Sequence, residues 1–142
     1  MILQLKRINQ QVGFEITNEG GNTTRVDGSE QVGGEGLGMR PMELLAGALV
    51  SCVSIDVLHI LKKKRIELKH FEVAVEARRK TTLPAAFEQI HLIFYIASSD
   101  PLEQVKKTIQ LSLDAYCSVA ASLSSQINIT FEIQTIPVSN HA

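Results

Sequence analysis

Apolar and polar positions alternate at the start of the chain, give way to a long apolar block, and then alternate again. Ile2 to Ile8 and Val12 to Thr17 carry the short-period pattern of strands, with Asn9-Gln10-Gln11 turning between them. After the turn-forming run Asn18-Glu19-Gly20-Gly21-Asn22, a third strand is expected near Thr23 to Val26. From Asp27 to Gly38 the chain holds five glycines and few apolar anchors, which predicts a long loop. Loops of this length inside compact domains tend to be functional.

Pro41 suits the first position of a helix, because its missing N–H has no partner to lose there. The apolar block RPMELLAGALVSCVSIDVLHILKKKR predicts a helix from Pro41 to about Lys64. Apolar residues surround most of it, implying contact on nearly all sides. Its basic end, Lys62 to Arg65, complements the negative C-terminal pole of the helix. Glu67 to Arg79 alternates as a strand, Thr81 to Pro84 turns, and Phe87 to Ala97 forms the next strand with Ile90, Leu92, Phe94 and Ile96 on one face. Asp100 as cap and Pro101 as first residue predict a helix to about Ala115. Tyr116 and Cys117 begin a short helix to about Ser125, and Ile127 to Ile136 closes as a strand. The order βββαββααβ defines an α+β fold. The length, 142 residues, fits a single domain spanning residues 1–142.

The apolar block raises the possibility of a membrane span. Between Arg40 and Lys62 it carries Glu43, Asp56 and His59 as well as two serines. Asp alone costs roughly 2.5–3.5 kcal/mol at a bilayer centre. A buried core helix is therefore expected. The N-terminal residues lack the long apolar core of a secretory signal. Two cysteines without a short framework spacing argue against an extracellular disulfide scaffold, so a cytoplasmic location is expected. The net charge of -1 offers no general attraction to nucleic acid or anionic lipid. No Walker loop, dinucleotide fingerprint or nucleophile elbow is present, and no cofactor is expected.

Cys52 stands mid-helix. At 100° per residue, Asp56 lies about 40° from it and His59 about 20° on the other side, so the three share a stripe. That stripe has three readings: a small buried thiol, a metal site using all three side chains, or a reactive thiol. The metal reading matches no established ligand spacing and lacks a fourth ligand. A reactive thiol has to ionise, and both apolar burial and the Asp56 charge oppose this. An activating cation must then come from outside the helix; Arg25, Arg40, Arg78 and Arg79 are the candidates. Cys117, at a helix start, gains only ~0.3–1 kcal/mol from the helix pole, which suits a resolving thiol or a plain junction residue. Glu43 occupies the position of a capping-box acid. His70, His91 and His141 belong to no motif, and His91 reads as a strand residue in polar surroundings.

The long helix RPMELLAGALVSCVSIDVLHILKKKR resembles the central helix of the OsmC/Ohr family (osmotically inducible protein C and organic hydroperoxide resistance protein). AYCSVAASL and LPAAFEQIHLIFYI resemble its second-cysteine helix and long strand, and the resemblance runs from about Gly33 onward. It implies antiparallel sheets wrapped around long central helices in an intertwined homodimer. It also implies a thiol peroxidase in which Cys52 reduces an apolar organic hydroperoxide, Cys117 resolves the sulfenic acid, and an external dithiol reduces the disulfide. The family's activating arginine and its glutamate partner map onto Arg25, or less directly Arg40, and onto Glu43. The peroxidase subgroups place that glutamate directly after the helix-starting proline. Here Met42 stands there and Glu43 follows, about 100° further round. The Pro-Met-Glu-Leu-Leu start resembles a different, OsmC-like branch, for which the same fold would serve as a stress-associated or apolar-ligand-binding dimer.

Overall fold

The computed structural model describes residues 1–137, so His141 lies outside the described residues. Contacts gather in two units, residues 1–45 and 46–142, each with its own sheet.

In the first unit β1 (Leu3–Arg7), β2 (Phe14–Asn18) and β3 (Thr23–Val26) form an antiparallel meander. Leu3 pairs with Asn18 and Phe14 with Val26. The first turn is held by Asn9, whose side-chain oxygen accepts the N–H groups of Gln11 and Gly13. The glycine-rich loop has more order than its composition suggests. Asp27 is buried beneath it and accepts backbone N–H groups from Gly28, Glu35 and Leu37 at 2.8–2.9 Å. These bonds, the one from Leu37 foremost, hold its carboxyl below the usual carboxylate range. The loop then returns to β3, where Val26 bridges Met39 in parallel. Gly38 permits this approach, because a Cβ there would sit 2.3 Å from the Arg25 carbonyl oxygen.

Helix α1 (Pro41–Lys63) begins where the proline predicts. Its end is a Schellman arrangement: Ile66 N–H reaches Leu61 C=O, Arg65 N–H reaches Lys62 C=O, and Arg65 takes the left-handed conformation at φ 58°. The helix is long and apolar enough to cross a membrane by length and composition. Its burial corrects the expectation of contact on nearly all sides. Ala46, Leu49, Val53, Val57 and Leu61 form one buried stripe at spacings of three and four. On the other side Ile55 is 68% exposed and Leu58 44%.

The second unit centres on β4 (Leu68–Arg79), β5 (Phe87–Ser98) and β6 (Asn128–Thr135), in the order β4-β5-β6. β4 and β5 run antiparallel, but β5 and β6 run parallel, so this sheet is mixed rather than wholly antiparallel. The reason lies in the connection. The residues between β5 and β6 form helices, and a crossover of that length returns the chain to the same end of the sheet. Ile90, Leu92, Phe94 and Ile96 are fully buried on one face of β5, as their alternation requires. Phe94 meets Phe71 and Phe131 edge-on at centroid distances of 5.9 and 6.2 Å.

The connecting helices depart from the expected boundaries. α2 covers Leu102–Leu111 and α3 covers Ser118–Ser122. Asp100 does not cap α2. The cap position falls on Pro101, which has no side-chain acceptor, and Asp100 instead accepts the Glu67 N–H at 3.4 Å. Between the helices Ser112–Tyr116 forms a π-helical turn, closed by Cys117 N–H donating to Ser112 C=O at 2.8 Å.

Candidate active site

The α2 segment shows why one of its faces must meet another element. Val105, Thr108, Ile109 and Ser112 recur at helical spacing and are all fully buried. Two of the four are hydroxyl residues, which need partners when buried. Thr108 donates to Gln104 C=O at 2.8 Å and accepts from Lys64 Nζ at 3.3 Å. Ser112 donates to Asp56 Oδ2 at 2.9 Å. Lys64 with Thr108, Asp56 with Ser112, and Cys52 with Cys117 are then three successive meetings between α1 and the α2–α3 segment, which pass one another antiparallel.

The π turn sets the third meeting. Cys52 and Asp56 are four residues apart on an ordinary helix, whereas Ser112 and Cys117 are five apart across the wider turn. The extra residue carries Cys117 back over the stripe that a regular helix would have rotated past. Among the described residues, the Cys52 and Cys117 sulfurs and an Asp56 carboxylate oxygen lie within 4.8 Å of one another. Both cysteines are free thiols. Cys52 is half-buried, while Cys117 is 3% exposed.

Cys117 occupies the N-cap of α3, and its sulfur accepts the Ala120 N–H at 3.3 Å. That contact favours the thiolate, as expected of a helix start. Burial outweighs it, and the hydrogen bond and charge of the Cys52 sulfur add to burial. The Cys117 thiol is pushed up to about 11 and keeps its proton at neutral pH.

The other expected site residues divide clearly. His59 is exposed and takes no part in the thiol cluster. It shares the stripe by rotation but stands seven residues, about 10 Å, along the axis from Cys52. Arg78 pairs with Glu88 at 3.0 Å and Arg79 donates to Ala85 C=O, which ties both to the β4–β5 hairpin. Arg25, on β3, and Arg40, just before α1, are exposed in the first unit. Glu43 accepts the Arg40 backbone N–H at 2.8 Å, the capping-box contact. His91 lies in polar surroundings, sharing a hydrogen bond of 2.7 Å with Thr130 and standing 3.6 Å from Glu132. A cleft of about 750 Å³ lined by Lys106, Asp114, Ala120, Leu123 and Phe131 includes neither cysteine. The two sulfurs lie outside this cleft.

An α+β chain that joins two free thiols through a long helix and a π turn is, as a class, a two-cysteine protein of mixed sheet and helix. The chain belongs to the OsmC-like protein family, whose profile matches residues 33–132. It is 34% identical over 97 residues to Protein YhfA of Escherichia coli strain K12, covering 68% of this chain and 72% of that one. A crystal structure of a hypothetical protein from Aquifex aeolicus VF5 superposes with a TM-score of 0.78 at 28% identity, covering 96% of this chain and 97% of the other. The organic hydroperoxide resistance protein OhrB of Bacillus subtilis shares the fold at a TM-score of 0.63 and 14% identity, covering 94% and 98%.

Proposed function

We propose that this chain is a thiol-dependent peroxidase that reduces organic hydroperoxides through Cys52 and Cys117, acting in the cytoplasm as a homodimer. The observation that carries this reading is the convergence of two free sulfurs within 4.8 Å from positions 65 residues apart. Family membership supports the same chemistry.

The half-buried Cys52 is the accessible member of the pair. As thiolate it attacks the terminal oxygen of the hydroperoxide; the O–O bond breaks, the alkoxide takes a proton and leaves as alcohol, and Cys52 becomes a sulfenic acid. Cys117 then attacks that sulfur, water departs, and a disulfide forms. An external dithiol reduces the disulfide and is itself oxidised. The reaction needs a cation to favour the Cys52 thiolate, and the family resemblance points to Arg25, or less directly Arg40, for that role. Glu43 serves by fixing the Arg40 backbone at the start of α1. The exposed apolar side of α1 around Ile55 and Leu58 supports the dimer.

The engagement of Glu43 as a helix cap also favours a second reading, an OsmC-like dimer that binds an apolar ligand without turnover. One experiment separates them: turnover of cumene hydroperoxide and tert-butyl hydroperoxide with a dithiol reductant, by the wild type and by Cys52→Ser, Arg25→Ala and Arg40→Ala. The peroxidase reading requires activity that Cys52→Ser abolishes and that at least one arginine change lowers. Activity surviving in Cys52→Ser overturns it.

A further inference from the structure

Two sulfurs and a carboxylate oxygen within 4.8 Å of one another are also a ligand set. We propose that reduced Cys52, Cys117 and Asp56 form a reversible binding site for a thiophilic divalent cation of the zinc class. The peroxidase reaction uses the thiols alone and gives Asp56 no role; this site uses all three.

Geometry is the first argument. Three atoms all within 4.8 Å of one another share a point no more than about 2.8 Å from each. Zinc bonds of about 2.3 Å to sulfur and about 2.0–2.2 Å to carboxylate oxygen then need shifts of at most about 0.5 Å for each sulfur and about 0.8 Å for the oxygen. A shared tetrahedral zinc wants its sulfurs about 3.8 Å apart, whereas a disulfide wants about 2.05 Å. The arrangement therefore has less far to move toward a metal than toward the disulfide.

The second argument is the support of Asp56. Its Oδ2 accepts the fully buried Ser112 hydroxyl, which fixes the carboxylate and still leaves it lone pairs with which to ligate. Among the described residues Asp56 makes no ion pair with a Lys, Arg or His. Cys52 and Asp56 are presented rigidly from one helix face at a spacing of four, and Cys117 is fixed by the π turn and by Ala120 N–H. Two thiolates and one carboxylate are soft enough to select zinc or cadmium over magnesium or calcium. A fourth position remains for water.

Binding replaces protons: a cation entering two thiols and a carboxylate releases the thiol protons to solvent. The occupied site holds both sulfurs, so the cation would inhibit the thiol chemistry. That regulatory consequence rests on the proposed peroxidase reaction; the binding itself does not.

The test titrates fully reduced full-length protein with cadmium chloride and follows the sulfur-to-metal charge-transfer absorbance, with zinc competition and no peroxide present. One cation per chain is expected. Asp56→Asn and Ser112→Ala should each weaken it about ten- to a hundredfold, and Ser112→Thr should restore it. Wild type oxidised with diamide should lose the signal and regain it on reduction, a control that needs no variant to fold. The site is overturned if the reduced wild type binds no tighter than the oxidised form. It is equally overturned if Asp56→Asn, folded by circular dichroism, binds as well as wild type, because the cation would then be held by the dithiol alone. Protein that binds cadmium but turns over no hydroperoxide keeps this site and loses the peroxidase; the reverse result does the opposite.

Discussion

Ser112 donates its hydroxyl proton to Asp56 Oδ2 at 2.9 Å, joining the π turn to α1 one helical turn from Cys52. Removing the hydroxyl leaves a half-buried carboxylate without its donor. Hydrogen bonds to charged groups are worth about 1.5–3 kcal/mol. Partial exposure of Asp56 sets the expectation for Ser112→Ala at the lower end, about 1.5 kcal/mol. Urea unfolding should show a lower midpoint at unchanged slope. The same change should slow Cys52–Cys117 disulfide formation, measured by mass spectrometry after oxidation, because it loosens the segment that presents Cys117.

Burial distinguishes the two thiols. Cys117 is 3% exposed and its thiol is raised from 9.0 to about 11. Iodoacetamide at neutral pH should therefore modify Cys52 first, with Cys117 reacting only after unfolding or at high pH. A raised folded value means that the fold favours the protonated thiol. This contribution to stability is complete below pH 9.0 and is lost as pH rises toward about 11. Cys117→Ala should flatten the decline in stability across that window.

Asp27 has the opposite sign. Three backbone N–H groups hold its carboxylate below the ordinary value of 3.8, so its contribution is complete above that value and fades as pH falls through the lowered one. Hydrogen exchange of the Glu35 and Leu37 amides should accelerate relative to other loop amides on acidification. In Asp27→Asn those two amides should lack protection at neutral pH and show no such acid limb.

The end of α1 stores a local backbone penalty. Arg65 adopts φ 58°, a conformation that costs a residue with a Cβ about 1–2 kcal/mol. Glycine would relieve it at the cost of greater freedom in the unfolded chain. Arg65→Gly should raise stability by about 0.5–1 kcal/mol, read as a higher thermal midpoint.

Ile55 is an apolar residue 68% exposed on the side of α1 away from its buried stripe. If this side of α1 is covered in the proposed homodimer, Ile55→Asp places a charge in the contact. Association should weaken by about tenfold or more, seen as a concentration-dependent shift toward monomer in sedimentation velocity.

The strands and long helix were legible because burial imposes periods of two and near four that survive in the sequence. The buried face of β5 follows that rule, whereas the β3 span and the Pro41 start were read from turn residues and from proline's preference for the first helical position. The π turn was not legible. Ser112–Tyr116 carries no composition that separates it from an ordinary helix, and its extra residue is selected by packing against α1. Two clues were available for the site: Thr108 and Ser112 on an otherwise apolar helix face, each needing a partner. The spacing alone could not say that Ser112 would find Asp56. Asp27 left no clue of its own, because a lone acid beside five glycines reads as loop until its N–H donors are seen to converge.

By itself, then, the sequence determined which segments form helix and strand, their order, and two segments containing cysteines that resemble one family. Local propensity and hydrophobic period act along the chain and can be read along it. Tertiary structure alone decided that β6 runs parallel to β5, that one side of α1 stays uncovered within the chain, and that Asp56 joins the sulfurs while His59 does not. Those outcomes depend on crossover direction and on distances between remote residues, which only packing fixes.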